Sequence, residues 1–182
     1  MADNSLGDAD FYDLEAYAGI GKRLSVVLID VPMLLVAGVL TWLPFVALIQ
    51  YGVIRTDPSR YFWLLFLLII WLYLVPMKRS VGTVGYWATR LKIVSAKGGQ
   101  PSLLTMTCRL LLWIFGPFNL ALDLLWLGAD TERQTLRDCY LGTYVVDRSA
   151  KPIGRGLLHL TRYNACGLTL AYPRVVRSRF AA

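Results

Sequence analysis

The chain has 182 residues, of which 56% are hydrophobic, with a net charge of +7 and a mean hydropathy of +0.50. This composition is too apolar for most soluble domains and is typical of membrane proteins. We therefore expect the excess positive charge to set the orientation in the membrane and to contact lipid headgroups. We expect no nucleic-acid partner.

The first twenty residues form an acidic head. Residues 1–20 contain five acidic residues and no Lys or Arg, unlike the cationic start of a signal peptide. We therefore expect the first membrane span to act as its own insertion signal.

Two apolar runs are long enough to cross a membrane. Residues 24–50 contain Asp30 as their only charge, and residues 61–77 contain no charge. A spanning helix needs about 17–25 mostly apolar residues, so both runs qualify. The basic loop over residues 78–102 predicts that this loop and the N-terminus lie in the cytoplasm.

A third apolar region, residues 102–128, contains Arg109, Asp123 and the helix-breaking pair Gly116-Pro117. We predict a helical hairpin, because a hairpin returns the basic C-terminal segment to the cytoplasm. Arg109 and Asp123 would then reach similar depth and pair. A single kinked span is the alternative, and it would hold them about 21 Å apart.

Two short segments are predicted to be strands. Residues 91–95 alternate in side-chain character before a Gly-Gly turn, and residues 141–147 are rich in β-branched side chains. If the two pair, they lie on one side of the membrane, which again favours the hairpin. The predicted fold is an all-α membrane protein with two spanning helices, a helical hairpin and a small cytoplasmic β element.

The predicted organisation has three parts. An acidic cytoplasmic head, 1–20, precedes a membrane domain, 21–148, and a basic tail, 149–182. The tail contains five arginines and several glycines, so it does not form a regular amphipathic helix. We expect it to lie along a membrane surface or on a partner protein, with the C-terminus in the cytoplasm.

Asp30 is the conspicuous charge within the first span. A charge at the centre of a spanning helix costs about 2.5–3.5 kcal/mol, so we expect Asp30 to face other helices and not lipid. Arg23 lies seven residues earlier on the same helix face. The axial separation of about 10 Å makes direct contact difficult, so each residue is expected to meet a partner on another element.

Asp138 lies in a charged segment with Arg133 and Arg137. One interpretation is a solvated interfacial cluster or helix cap. The other is that Asp138 reaches back to Arg23 or Arg90 and joins the cytoplasmic layer to the membrane helices.

The sequence contains no motif typical of an enzyme, a metal site or a cofactor site. Cys108, Cys139 and Cys166 form no CxxC pair, and His159 has no second ligand at a useful spacing. The tryptophans lie mostly near the ends of the predicted spans, where indole rings favour the interface. We therefore predict no catalytic activity, no bound metal and no cofactor.

Four features occur together: Arg23 at the start of the first span, Asp30 within it, "GTVGYWATRLKIVSAKGGQPSL" at 82–103, and "RQTLRDCYLGTYVVD" at 133–147. Together they resemble the RDD family of small integral membrane proteins. The similarity covers about residues 16–147.

The family is named for one arginine and two aspartates. The resemblance assigns these roles to Arg23, Asp30 and either Asp138 or Asp123, of which we favour Asp138 because it lies in the "RDCYLGT" block. The family usually shows a His-Asp or similar pair before "GT", where this chain has Arg137-Asp138. The resemblance implies either transport, including cation/proton exchange, or an adaptor role like that of a eukaryotic relative in a membrane quality-control complex.

We expect a non-catalytic accessory or scaffolding subunit of a larger bacterial inner-membrane complex. It would contact lipid and other membrane subunits through its head and tail. Polar helix-packing contacts would come from the five charged residues Arg23, Asp30, Arg109, Asp123 and Asp138. The alternative is a homo-oligomeric transporter of ions or small solutes that uses Asp30 as its coupling site.

Overall fold

In a computed structural model of the chain, residues 6–114, 123, 132–165 and 168–176 are described, and the side chains of 163–170 are not. The turn of the predicted hairpin over 102–128 lies outside the described residues. The choice between a hairpin and a kinked span therefore stays a prediction.

Two long helices form the membrane region. Helix α1 is Ile20–Gln50, and helix α2 is Ser59–Leu72, which continues through a π-helical turn, Tyr73–Met77, into the short helix α3, Lys78–Ser80. Both helical segments are long and apolar enough to cross a membrane, which confirms the two predicted spans.

The spans are not the buried core helices of a soluble protein. In the most apolar 18-residue stretch of the first span, only 11% is buried within the protein, and the value for the second span is 6%. Large side chains such as Leu35, Leu40 and Leu64 are at least 60% exposed. Helices with apolar side chains on outward faces are suited to hydrocarbon, because all their backbone polar groups bond within the helix.

The two spans meet along a close contact near the middle of α1. A Cβ atom at Gly38 would lie 3.1 Å from the Phe66 ring, so the small residue allows the ring to approach the helix backbone. Further along, Trp42 and Phe62 pack edge to face with ring centroids 4.9 Å apart. Small residues and aromatic rings thus hold this end of the pair together through packing alone.

Short elements follow the second span. These are α4, Val84–Ala88; β2, Leu91–Ser95; α5, Leu103–Ile114; α6, Leu136–Leu141; and β3, Thr143–Asp147. Strands β2 and β3 pair antiparallel, with Ile93 opposite Val145. This confirms the two predicted strands and their pairing.

The head and the tail form a second sheet together. Strand β1, Asp8–Phe11, pairs with β4, Gly154–Ala165, and β4 pairs with β5, Leu168–Val176, both antiparallel. The prediction of an all-α protein with one small β element is therefore too narrow. Strand pairing between residues from the two ends of the chain is a long-range contact that local patterns do not indicate. We call β1–β5 the β cap.

The β2–β3 ribbon lies between two hydrophobic cores because its side chains alternate between two faces. One face, including Val94 and Tyr144, packs against β1, β4 and β5. The other face, including Ile93 and Val145, packs against Val26 of α1 and against neighbouring helical residues. Within the β cap, the ribbon therefore joins the three-stranded β1-β4-β5 sheet to the membrane helices.

Candidate functional site

All five charged residues singled out in the sequence lie in one region, where the membrane helices meet the β cap. Four of them line a cavity of about 190 Å³: Arg23, Asp30, Arg109 and Asp123. The fifth, Asp138, is fully buried beside it and forms ion pairs with two of the others.

The centre of the site is a three-residue junction, Arg23–Asp138–Arg109, called the junction below. Arg23 Nη1 lies 2.7 Å from Asp138 Oδ2, and Arg109 Nη2 lies 2.6 Å from Asp138 Oδ1. The side chain of Asp138 has no exposed surface, and those of Arg23 and Arg109 are 13% and 9% exposed. The junction connects α1, α5 and α6, which confirms the interpretation that Asp138 reaches back to Arg23.

The position of Asp138 follows from the local sequence Thr135-Leu-Arg-Asp138. Thr135 is the N-cap of α6, and its hydroxyl accepts a hydrogen bond from the Asp138 backbone amide. In return, the Asp138 carboxylate accepts a hydrogen bond from the Thr135 backbone amide. This reciprocal capping fixes the carboxylate at the start of the helix. At the other end, Gly142 adopts a left-handed conformation with φ of 57°, and Thr143 follows. The Thr143 hydroxyl donates to Asp138 Oδ1 at 3.2 Å and accepts from Arg109.

Arg23 also donates two hydrogen bonds to backbone carbonyls. Its Nε donates to the Ala18 carbonyl at 3.1 Å, and its Nη2 donates to the Arg133 carbonyl at 2.8 Å. The guanidinium therefore connects the residues before α1 with those before α6. A buried ion pair of this kind is costly to break from one side, because the remaining charge loses its partner.

The junction keeps Asp138 ionised. Burial alone would raise the pKa of the Asp138 carboxyl, because a buried charge loses its hydration. The Arg109 and Arg23 guanidiniums outweigh this effect and hold the pKa of Asp138 well below its ordinary value. The carboxylate therefore stays charged at any pH that a cell provides.

We expect an Asp138→Asn variant to be less stable than the wild type by a constant margin between about pH 5 and 8. The folded-state pKa is lowered, so the stabilisation is complete above the unfolded-state pKa of about 3.9 and is lost as the pH falls through the folded-state value. Melting temperatures of both proteins in detergent across this range and below it test this. A stability difference that changes between about pH 6 and 8 would contradict this prediction, because no group of the junction is expected to titrate in that range.

Asp30 is buried among neutral hydrogen-bond donors. Its Oδ1 accepts from the Tyr73 hydroxyl at 2.8 Å and from the Gly85 amide at 2.8 Å, and its Oδ2 accepts from the Thr83 hydroxyl at 2.7 Å. The carboxylate thus joins α1 to the π-helical turn and to α4. Asp30 faces other helices, as predicted from its insertion cost, and it does not contact Arg23.

The π-helical turn and the start of α4 place these donors. The turn contains Pro76, whose missing amide hydrogen favours a departure from regular α-helical bonding. Thr83 is the N-cap of α4, so its hydroxyl lies beside the free amides of that helix. Nothing in the sequence indicated that Thr83 and Gly85 would be the partners of Asp30.

We expect Gly85→Ala to destabilise the protein by about 1–3 kcal/mol, the usual cost of overpacking. A Cβ atom at this position would lie 2.7 Å from the Val26 carbonyl oxygen and 2.8 Å from Asp30 Oδ1. The backbone oxygen cannot rotate away, so α4 must move from α1. Thermal melting in detergent measures the loss.

Gly21→Ala is the matched control for this prediction. Gly21 lies in the first turn of α1, and a Cβ atom there would have no neighbour within 4 Å. Alanine favours helix over glycine, so this change is expected to be neutral or mildly stabilising. Equal melting temperatures for the two variants would show that the close contact at Gly85 is not a constraint.

Asp123 pairs with Arg137, whose Nε bonds its Oδ2, and not with Arg109. Arg109 and Asp123, which a hairpin would bring to similar depth and allow to pair, therefore do not pair with each other. The capping of α6 brings the Asp138 carboxylate to Arg109, and it leaves the neighbouring Arg137 to bind Asp123.

Lys78 is a cavity residue that the sequence analysis did not single out. Its ammonium group lies 4.6 Å from the centre of the Tyr86 ring, within the range of a cation–π interaction. Across the described ranges, no group of three or more His, Cys, Asp or Glu side chains is placed to hold a metal ion.

Two apolar helices with exposed lipid-compatible faces, the first of them held to α5 and α6 by buried ion pairs, define a small membrane protein. The RDD family model matches residues 17–142, which include all five charged site residues. The chain belongs to the RDD family, as the resemblance indicated. No curated protein and no solved structure matches the chain.

Proposed function

We propose that the protein is a non-catalytic accessory or scaffolding subunit of a larger complex in the bacterial inner membrane. The observation that carries this proposal is the junction. Its three charges bind one another and nearby carbonyls, so they serve to hold the first span, α5 and α6 together. Charges that are bonded in this way are poorly suited to binding and releasing a transported ion.

The distribution of charge along the spans also supports a scaffold. Residues 31–54 and 61–77 contain no charged side chain. Thr41, a polar side chain within this stretch of α1, donates to the Ala37 carbonyl of its own helix. The charged site lies at one end of the spans, and a single copy therefore offers poor support for an ion path across the bilayer.

The β cap carries surface suited to a protein partner. Leu157 of β4 and Val176 of β5 are 45% and 54% exposed, and they lie directly opposite each other in the register, on the same face of the sheet. Exposed apolar side chains that lie close together are typical of interaction surfaces. In this proposal both termini lie in the cytoplasm, and the head and tail, which share one sheet, contact the partner.

Native mass spectrometry of the tagged protein, purified in mild detergent from its own host, tests this proposal. We expect other polypeptides in fixed stoichiometry. A Leu157→Ser variant should lose them, because Leu157 is 45% exposed, lies opposite Val176 and belongs to neither hydrophobic core. A protein that is isolated alone or as a homo-oligomer would contradict the proposal.

A second candidate function is transport of an ion or small solute by a homo-oligomer, in which Asp30 is the coupling site. The observation that favours it is that Asp30 lines the cavity and has neutral partners, unlike the other carboxylates of the site. The test that separates the two candidates is the last prediction of the Discussion.

A further inference from the structure

The cavity between α1 and α5 contains more cations than carboxylates. Arg137 pairs with Asp123, and the junction holds two arginines on one aspartate. Lys78 is the fourth cation of the lining, and it forms no ion pair with any residue in the described part of the chain. Among the described residues that line the cavity, and with Asp138 included, four cations face three carboxylates.

Asp30 does not neutralise Lys78 by direct contact. Its charge lies near enough to attract the ammonium group, but no ion pair forms between them. The oxygens of Asp30 accept hydrogen bonds from Tyr73, Thr83 and Gly85 instead. The contact that the structure gives to the Lys78 ammonium is the face of the Tyr86 ring. An ammonium group is strongly hydrated in water, so this position leaves it short of acceptors.

The rest of the cavity wall is apolar and open towards the membrane. Leu24, Val27, Val31 and Leu34 of α1 line it, with Leu110 and Trp113 of α5. Leu24 and Val31 are also 51% and 40% exposed, so the cavity opens on an outward face of α1. From Arg23 to Leu34 the wall extends about 16 Å along the helix axis, from the charged end into the apolar span.

We propose that this cavity binds the phosphate headgroup of an anionic phospholipid. The phosphate contacts Lys78, and the first part of one acyl chain lies along the apolar wall of α1 and α5. Pockets that enclose a drug-sized ligand measure about 300–1,000 Å³, so a cavity of about 190 Å³ holds only the headgroup region. The remaining chains stay in the bilayer through the opening beside Leu24 and Val31.

The choice of a phosphate over a carboxylate or a free anion rests on the whole lining. Basic pockets between membrane helices are known sites for phospholipid headgroups. A phosphate offers several acceptor oxygens, so one group can reach Lys78 and the cavity-facing edges of the arginines. A small free anion would satisfy the charge but would leave the long apolar wall without a partner.

Lipid titrations of the delipidated full-length protein, followed by native mass spectrometry, test this inference. The probes are a phosphatidylglycerol and a phosphatidylcholine with the same acyl chains, and inorganic phosphate alone. Both lipids carry the phosphate, but phosphatidylcholine adds a quaternary ammonium group that the surplus positive charge of the cavity repels. We therefore expect the wild type to bind the anionic lipid at least about tenfold more tightly than the zwitterionic one. Inorganic phosphate at matched concentration should not displace the lipid.

Substitutions of Lys78 assign the effect to the cavity. Lys78→Gln should weaken phosphatidylglycerol binding about tenfold to a hundredfold, whereas Lys78→Arg should retain it. Lys97→Gln is the matched control, because Lys97 is an exposed lysine of the β cap outside the cavity. We expect this control to bind like the wild type.

Three results would overturn the inference. One is equal binding of the two lipids by the wild type, which decides the question even if Lys78→Gln fails to fold. Another is an equal loss of binding in Lys78→Gln and Lys97→Gln, which would indicate a diffuse surface charge. The third is displacement of the lipid by inorganic phosphate alone, which would indicate a free-anion site. The proposed scaffold role predicts none of these outcomes, so the two proposals fail independently.

Discussion

An Asp138→Ala variant is expected to lose about 3–5 kcal/mol of stability, the cost of removing one partner from a buried ion pair. The change leaves Arg23 and Arg109, which are 13% and 9% exposed, without their shared carboxylate. It also removes the carboxylate that caps α6 and accepts from Thr143. Since whole domains are stable by about 5–15 kcal/mol, we expect little folded protein to accumulate in the membrane.

The measurement is the monodisperse fraction after detergent extraction, together with the melting temperature of whatever is recovered. Asp147→Ala is the matched control, because Asp147 also pairs with a cation, Lys22, but the two side chains are 31% and 51% exposed. Exposed pairs contribute about 0.2–1 kcal/mol, so the control should express and melt almost as the wild type does. Equal yields of the two variants would contradict a structural role for the junction.

A double-mutant cycle distinguishes a specific ion pair from two independent losses. Arg23→Ala and Asp138→Ala share one interaction, so the double variant should be less damaged than the sum of the single variants, with a coupling of about 0.5–3 kcal/mol. A charge swap between these positions is a poor alternative test, because an arginine at 138 would lie beside Arg109. If both single alanine variants were as stable as the wild type, the junction would have no structural role.

The sequence predicted the spans and the direction of Asp30 because both depend on local, large effects. Run length alone identifies a helix that can cross a bilayer, and the insertion cost of Asp30 requires it to face protein. The partners of Asp30 were not predictable in the same way. Tyr73, Thr83 and Gly85 are placed by a π-helical turn and a helix cap, which depend on how the second span ends.

The sequence did not predict the sheet formed by the head and the tail. A glycine can interrupt regular structure, or it can lie within a strand where another group packs closely. In the sequence, Gly154 and Gly156 are among the glycines that interrupt any helical pattern in the tail. In the structure they lie within β4, where a Cβ atom would come within 3.0 Å of the Phe11 ring at Gly154 and 2.7 Å of the Val176 carbonyl oxygen at Gly156. A glycine in a strand marks such close approaches. Their recognition requires knowledge of the strand or ring that packs there.

For a related reason, the sequence did not predict the true partners of Arg109 and Asp123. A comparison of depth within the hairpin considers only residues of one apolar region. It omits carboxylates from other segments of the chain. Asp138 precedes a predicted strand in the sequence. One of the two interpretations of this residue placed it in contact with Arg23 or Arg90. The structure shows that one carboxylate serves both arginines, an arrangement that pairwise reasoning along the sequence does not produce.

Replacement of Asp30 is expected to damage the fold in proportion to the hydrogen bonds lost. Asp30→Ala leaves the Tyr73 and Thr83 hydroxyls and the Gly85 amide without their acceptor, and we expect a loss of about 3 kcal/mol or more. Asp30→Asn keeps the volume and one acceptor oxygen. The new amide can donate to the Thr83 hydroxyl, which can rotate to accept it, so the expected loss is about 1 kcal/mol.

The asparagine variant separates the two candidate functions because it changes charge more than structure. For a transporter, Asp30→Asn should abolish cation or proton flux in liposomes while the melting temperature stays near that of the wild type. For a scaffold, the wild type itself should give no flux above protein-free liposomes, and the co-purified partners should decrease in the order wild type, Asn, Ala as the helix contact weakens. Flux in the wild type that disappears in Asp30→Asn would therefore overturn the scaffold proposal, because a carboxylate that only joins helices moves no ion.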